Sequence, residues 1–286
     1  MVEKTVMAMS ESLKLSIVTP SYNHGRFLEK SILSVINQDY SSVEHIVIDG
    51  ASQDNSVQII RKHSANIAYW VSEPDEDLRF ALQKGFSHAT GDVMAWQNAD
   101  DYYEPHIFRE VMDIFCKYPE VDLVYGNVNI VDENNKMLEK LFHIPLCYPL
   151  DIFGGMPLQS QAAFFRRTLW EKVGGIQFHE LNYDVDLIFR MVKFSNSYFL
   201  HRAIGNYRNH SNSLSFSGQS DKLQKDFWVI RRRFLGKWGK FSDAFFAPVV
   251  VLAKIRRYLW LMFLGDWEYF LQQTQKILRR MERTKL

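Results

Sequence analysis

The sequence predicts an α/β protein with a mainly parallel sheet in its first half, and two observations lead to this fold class. Short apolar runs alternate with amphipathic stretches over the first 130 residues, which is the pattern of successive β-α-β units. The chain has 286 residues and is 47% hydrophobic, enough to fill the core of one sizeable domain with an appendage.

The apolar runs and the helical spacings fix the expected elements in order. The predicted strands are residues 14–19, 43–48, 67–71, 93–97 and 123–130. The first helix follows the turn-forming Asn23, His24 and Gly25, and a second is expected to begin near Ser52, which can cap it. Two more are predicted over residues 78–88 and 105–117.

The second half of the chain has a different pattern. Gly154 and Gly155 indicate a loop, and a strand over residues 161–166 and a helix over 185–194 favour a mixed sheet there. A polar stretch over 206–220 precedes helices rich in Trp, Phe and Arg. We therefore predict an N-terminal extension (1–12), an α/β domain (13–220) and a helical tail (221–286).

Cysteine usage and hydropathy indicate a cytoplasmic protein. Cys116 and Cys147 are far apart and have no His or Cys at metal-ligand spacing, so neither a disulfide framework nor a zinc site is expected. Residues 1–12 lack the apolar core of a secretory signal. The most apolar stretch, 244–264, is interrupted by basic residues, which argues against a membrane-spanning helix.

The charge is distributed unevenly along the chain. From Asp221 onward there are 15 Lys and Arg against 6 Asp and Glu, a net +9, whereas the part before it carries −8. The acidic part argues against nucleic acid as a ligand, and the basic tail implies a partner. Peripheral membrane association is one interpretation, and packing on the main domain or on a second copy is the alternative. The aromatic residues behind the membrane interpretation are Phe245, Phe246, Trp260, Phe263, Trp267 and Phe270.

Polar residues follow three predicted strands, at the edge where parallel sheets bind ligands. They are the segment 19–23, the pair Asp49-Gly50 and the segment 98–101. Each also has a structural interpretation, because Asp-Gly is a common turn and Asp100-Asp101 can cap the next helix. Adjacent carboxylates repel each other, however, and a divalent cation relieves that repulsion.

An ordered set of motifs resembles the family 2 glycosyltransferases over about residues 13–215. The strings are LSIVTPSYN (15–23), HIVIDGASQDNS (45–56), EPD (73–75) with Lys84-Gly85, GDVMAWQNADD (91–101), QSQAAFFRR (159–167), Gly174-Gly175, YDVDLIFR (183–190) and YRNHSNS (207–213). Any one of them is weak evidence, but their order and spacing together are specific.

The resemblance implies a GT-A fold for the α/β domain and a nucleotide-sugar donor at the sheet edge. By that resemblance Pro20 and Tyr22 border the base. Asp49 accepts a hydrogen bond from a pyrimidine imide, which favours a uridine or thymidine donor. The residues implied to bind the nucleotide sugar are Thr19, Pro20, Tyr22, Asp49, Asn98, Ala99 and Asp100.

The resemblance also implies a divalent cation, Mn²⁺ or Mg²⁺, held by Asp100 and His210. Asp184 matches the catalytic base, and its place at a helix start is expected to stabilise the ionised carboxylate. Asp186 is expected to cap that helix or to brace Arg190. The implied reaction transfers a sugar to an acceptor hydroxyl with inversion, on a glycan or lipid-linked acceptor in cell-envelope polysaccharide or glycolipid synthesis.

Departures from the family pattern leave the sugar open. Asn98 replaces the first aspartate of the Asp-x-Asp motif, and Asp77, Phe80 and Gln83 differ from the residues of many relatives. A nucleotide-sugar binding protein without catalysis therefore remains an alternative. A dinucleotide oxidoreductase would need a Gly-x-Gly-x-x-Gly turn after the first strand, and a sugar nucleotidyltransferase a glycine-rich basic loop; neither is present.

Overall fold

A computed structural model describes residues 13–177, 182–210, 220–237 and 243–283. The predicted N-terminal extension, residues 1–12, and most of the polar stretch before Ser220 lie outside these ranges.

The first half is a parallel sheet, as predicted. Its strands lie in the order β3-β2-β1-β4, so the chain starts in the middle and moves outward. Their bounds are β1 Leu15–Ser21, β2 Val43–Asp49, β3 Tyr69–Ser72 and β4 Val93–Trp96. This order brings the carboxyl ends of β1, β2 and β4 side by side.

The second half completes a mixed sheet, which is the predicted GT-A type of architecture. The remaining strands are β5 Tyr102–Tyr103, β6 Leu123–Val131, β7 Met137–Leu141, β8 Ala163–Arg166 and β9 Ser197–Arg208. β8 is antiparallel to β4 and β6, whereas β9 is parallel to β6 and antiparallel to β5. β9 extends to Arg208 and so includes the first residues of the polar stretch predicted over 206–220.

The helices pack on both faces of the sheet and continue beyond it. Their bounds are α1 Gly25–Ile36, α2 Ser56–Lys62, α3 Leu78–His88, α4 Ile107–Lys117, α5 Leu150–Gly154, α6 Arg167–Val173, α7 Tyr183–Phe194, α8 Ser220–Phe234, α9 Ala247–Phe263 and α10 Trp267–Arg283. The helix expected to start near Ser52 begins at Ser56, because the Ser52 hydroxyl is bonded to Asp49 and does not cap it.

The core has two layers because neighbouring strand residues point to opposite faces. Ile17 packs in the layer covered by α4, and Val18 packs in the layer covered by α3, α6 and α7. α4 buries Phe108, Val111 and Phe115, whose spacing forms one helical face. β1 is buried along its whole length, so its polar residues are held inside the fold.

Candidate active site

Two loops at the carboxyl edge of the sheet are bonded to each other. The Asn23 backbone N–H donates to the Ser52 hydroxyl at 2.8 Å, and the Gln53 N–H donates to the Asn23 amide oxygen at 2.8 Å. The Gly25 N–H donates to Asp54 at 2.8 Å. Asn23 has a φ of 54°, a left-handed conformation that asparagine tolerates better than most residues. The loop after β1 is therefore held in place by the loop after β2.

Asp49 lies at the end of β2, but its carboxylate is closed to solvent. It accepts bonds from the Ser52 N–H at 2.9 Å, from the Ser52 hydroxyl, and from the Ser72 hydroxyl at 2.6 Å. Its exposed fraction is 0%. The carboxylate thus ties the loop after β2 to the end of β3, and the expected contact between Asp49 and a base remains a prediction.

Three other predicted donor contacts are also buried. Thr19 bonds to the imidazole of His45 at 2.8 Å, Pro20 is buried beside it, and the Ala99 side chain packs in the core against α1. Thr19 and Pro20 are buried because they lie in β1, which is buried along its whole length, and Ala99 is buried because α1 covers the turn after β4. Their side chains support the edge, and their contacts with a donor remain predictions, as do those of Tyr22, Asn98 and Asp100.

Tyr22 is the open aromatic residue of this edge, with 59% of its surface exposed. A Cβ on Gly50 would lie 3.4 Å from the Tyr22 ring and 3.5 Å from Oδ2 of Asp75. That Asp75 oxygen has no hydrogen-bond partner among the described residues, while Oδ1 pairs with Lys84 at 3.2 Å. A buried unpaired acceptor beside an open ring is suited to a ligand N–H group.

Asp75 also lines a cleft of about 390 Å³. The cleft is lined by Pro74, Asp75, Glu76, Phe80, Gln83, Lys84 and Ser87. Phe80 and Gln83 are two of the positions where this sequence departs from the family pattern. The divergent residues thus shape the space next to Asp75.

The structure gathers a carboxylate and two imidazoles at the end of β4. Oδ2 of Asp100 lies 3.0 Å from Nε2 of His210 and 3.8 Å from Nε2 of His24. All three ligand atoms lie within 4.8 Å of one another. The Phe27 ring packs against His210 with the ring centres 5.0 Å apart. Asp100 and His210 are brought together as predicted, whereas His24 was interpreted from the sequence as a turn residue.

These residues fit a divalent transition cation. Mg²⁺ prefers oxygen ligands in octahedral geometry, whereas a site with two imidazoles and one carboxylate accommodates first-row transition cations such as Mn²⁺ better. The cluster leaves room in the coordination sphere for oxygens from a ligand. The residue types therefore fit a divalent cation of the Mn²⁺ type.

Asp101 does not share this role. Burial raises the pKa of Asp101 well above its usual range, and the neighbouring Asp100 charge raises it further. Its carboxyl accepts the Arg208 backbone N–H at 2.8 Å and the Asn98 amide at 3.3 Å. Asp101 is thus a buried residue that ties β9 to the turn after β4.

Arg208 lies behind the cluster and was assigned no role from the sequence. Its exposed fraction is 1%. Nε donates to the Asp100 carbonyl at 2.8 Å, and Nη2 donates to Asn135 at 3.0 Å. The guanidinium also lies 4.5 Å from the centre of the Phe27 ring. Arg208 therefore joins the turn that carries Asp100, α1 and the β6-β7 connection.

Asp184 lies in the first turn of α7 and is partly exposed. Its Oδ1 accepts the Val185 N–H at 2.9 Å. Burial raises the pKa of Asp184 in spite of this bond, so the net direction is opposite to the expected stabilisation of the ionised form by the helix start. A raised pKa makes the ionised carboxylate a stronger base.

Asp186, two residues on, is buried and pairs with Arg190. The guanidinium Nε donates to Asp186 at 2.8 Å, and Nη2 lies 2.7 Å away. The predicted bracing of Arg190 is confirmed. Because Asp186 is only 2% exposed, it is unsuited to contact an acceptor.

These features define a nucleotide-binding type of α/β protein with a cluster of one carboxylate and two imidazoles, suited to a divalent cation, at the carboxyl edge of its sheet. A sequence model of glycosyl transferase family 2 matches residues 16–173, and the chain belongs to this family.

Relatives and solved structures agree with this family. An uncharacterised glycosyltransferase from Nostoc is 28% identical over 131 residues, which cover 45% of this chain and 40% of that protein. The first curated relatives are matched over only 40 to 65% of their length.

Two solved structures confirm the GT-A fold at low sequence identity. TarS from S. aureus in complex with UDP-GlcNAc is 14% identical with a TM-score of 0.63, covering 83% of this chain and 70% of TarS. The mannosyltransferase PcManGT from Pyrobaculum calidifontis in complex with GDP-Man and Mn²⁺ is 14% identical with a TM-score of 0.59, covering 84% and 74%.

Proposed function

We propose that the protein transfers a sugar from a nucleoside-diphosphate sugar to an acceptor hydroxyl, with inversion and with a divalent cation. The observation that carries this proposal is the Asp100, His210 and His24 cluster at the carboxyl edge of a family 2 fold. A cation bound there neutralises the charge that develops on the diphosphate leaving group.

The donor base is proposed to lie against Tyr22. The open ring offers a stacking surface, and the unpaired oxygen of Asp75 beside it accepts an imide N–H of uracil or thymine. This moves the predicted role of base acceptor from Asp49 to Asp75, because Asp49 is closed to solvent and already bonded. A uridine or thymidine donor remains the proposal.

Asp184 is proposed to remove the proton from the acceptor hydroxyl. The carboxylate is partly exposed, carries no ion pair among the described residues, and has a pKa raised by burial. Attack from the face opposite the leaving group inverts the anomeric centre. The acceptor is proposed to be a glycan or a lipid-linked glycan of the cell envelope, and the protein to act at the cytoplasmic face of a membrane through residues 221–286.

A thermal-shift screen of nucleotide sugars with and without Mn²⁺ tests the proposal. A donor present at about 100 times its dissociation constant stabilises the native state by about 2.7 kcal/mol, which raises the melting temperature by several degrees. We expect a UDP- or dTDP-sugar to do so only with Mn²⁺ and to release nucleoside diphosphate when acceptor is added. Donor binding without any release would favour the binding protein that has lost catalysis.

A further inference from the structure

α9 has its apolar and basic faces reversed relative to an ordinary surface helix. Apolar side chains repeat at the helical spacing of one face and are between 43 and 80% exposed. We call this surface the α9 face: Val251, Leu252, Ile255, Tyr258, Leu259, Met262 and Phe263. A surface helix normally turns such a stripe towards the core.

The orientation of α9 is fixed by its arginines, which point inward. Arg256 donates from Nη1 to Asp151 at 2.8 Å and from Nη2 to the Pro145 carbonyl. Arg257 donates to the Phe142 carbonyl. Ala253 and Leu261 are buried on the same side. Rotating the helix to hide its apolar stripe would leave these guanidinium groups and carbonyls without partners.

The exposed apolar surface is large. Its seven neighbouring apolar residues, each 43 to 80% exposed, form a patch on the order of several hundred Å², the size at which apolar patches are often functional. On α10, Trp267 and Leu271 are one turn apart and are 62 and 65% exposed. A surface of this size marks an interaction site.

Charge favours an anionic lipid surface over a second copy as the occupant. The chain from Asp221 onward carries +9, and it remains strongly positive when the inward-facing Arg256 and Arg257 are set aside. Two copies meeting at this helix would therefore bring like charges together, whereas an anionic bilayer neutralises them. Lys254 is exposed on the flank of α9, where its long stem can place the ammonium group at the headgroups. Tyr258 and Trp267 are aromatic residues of the kind enriched at membrane interfaces.

We propose that the α9 face lies in the interface of an anionic membrane, with the helix axis parallel to the surface. No helix within the described residues is long and apolar enough to cross a membrane, and α9 has 17 residues. The inference rests on the proposed membrane association of residues 221–286 and not on the transfer reaction.

The structure changes which aromatic residues carry this role. Phe246 is buried, and Trp260 and Phe270 pack against the cluster of Phe142, Ile144 and Leu261. Phe245, Phe263 and Trp267 are exposed as expected.

Flotation of the full chain with phosphatidylcholine vesicles containing about 30 mol % phosphatidylserine tests the proposal. The wild type should float with these vesicles and less with pure phosphatidylcholine. The double variant Leu259→Ser/Phe263→Ser should lose at least about tenfold in partitioning, because two inserted side chains are removed. Phe194→Ser removes an exposed phenylalanine outside the tail and should bind like the wild type.

Three further measurements decide between the occupants and separate this inference from the transfer proposal. An unchanged melting temperature shows that the double variant is folded. Failure of the wild type to float, or equal flotation of the double variant, overturns the proposal. The proposal is also overturned, in favour of a second copy, if the wild type is a dimer without lipid and the double variant is a monomer. The donor-induced thermal shift should persist in the double variant; its absence from the wild type as well would contradict the proposed function and leave the vesicle result standing.

Discussion

Arg208→Met should weaken the fold and the cation site together. The replacement keeps much of the side-chain volume but removes a buried guanidinium that donates to the Asp100 carbonyl at 2.8 Å and to Asn135 at 3.0 Å. The Arg208 guanidinium also donates at 3.2 Å to the carbonyls of Asp132 and Glu133. The carbonyl of Asp100, the residue proposed to hold the cation, is among the acceptors that lose a partner.

The magnitude follows from these bonds. Hydrogen bonds from charged groups are worth about 1.5 to 3 kcal/mol each, and the two bonds at 3.0 Å or less dominate because water can reach the partly exposed 132–133 turn. We therefore expect a loss of about 3 to 5 kcal/mol in the free energy of unfolding, the usual range for breaking a buried charged contact. Loss of an outer support of a metal ligand should weaken Mn²⁺ binding about 10- to 100-fold.

Urea unfolding and Mn²⁺ titration calorimetry measure the two effects. Arg202→Met is the matched control, since Arg202 lies on the same strand and forms an exposed ion pair with Glu110. It should cost less than about 1 kcal/mol and leave Mn²⁺ affinity unchanged. If Arg208→Met does not fold, Arg208→Lys keeps the charge without the planar fork and should show a smaller loss of both kinds. Equal behaviour of Arg208→Met and Arg202→Met would refute this account of the site.

The remaining predictions concern the histidines and carboxylates around the site. His24→Ala should weaken Mn²⁺ binding at least about tenfold in calorimetry with little change in melting temperature; an unchanged affinity would remove His24 from the cation site. Asp184→Asn should keep donor affinity and lower the rate of transfer about 100-fold or more. Transfer by the wild type should fall with decreasing pH, with a midpoint above the usual aspartate pKa, since burial raises the pKa of Asp184. Asp186→Asn should lower the free energy of unfolding but have little effect on turnover, because it leaves Arg190 without its carboxylate. An inactive but stable variant would exchange the roles assigned to Asp184 and Asp186. Burial lowers the pKa of His45 to about 3. As pH falls from about 6.5 towards 3, His45 is therefore protonated in the unfolded chain but stays neutral in the folded chain. The free energy of unfolding is expected to decline over that interval. His45→Gln should flatten this decline in urea unfolding at a series of pH values, and an unaltered slope would show that His45 does not cause it.

The parallel half of the fold could be predicted because its strands are apolar and alternate with amphipathic helices. β1 is buried on both faces, so it appears in the sequence as a mostly apolar run. The far side of the sheet could not be predicted in the same way. β5 has two residues, and β9 is a partly exposed strand whose pairing with β6 shifts register twice, so neither shows a regular period.

The site was predictable where a motif placed a residue and unpredictable where only the tertiary structure does. Asp100 and His210 are 110 residues apart in sequence and meet as the family pattern implied. His24 directly follows one recognised motif and Asp75 stands inside another, but their roles depend on how neighbouring loops fold over the edge. For Asp49 the place after a strand was visible in the sequence, whereas its complete burial depends on the tertiary structure.

The central claim is that a cation held by Asp100 is required for sugar transfer. The most direct measurement is sugar transfer, with the donor that raises the melting temperature, by the wild type and by Asp100→Asn in Mn²⁺ and in excess EDTA. We predict transfer by the wild type with Mn²⁺, loss of transfer in EDTA that added Mn²⁺ restores, and a loss of at least about 100-fold in Asp100→Asn with Mn²⁺ present. Full transfer by the wild type in excess EDTA, or by Asp100→Asn, would contradict the claim.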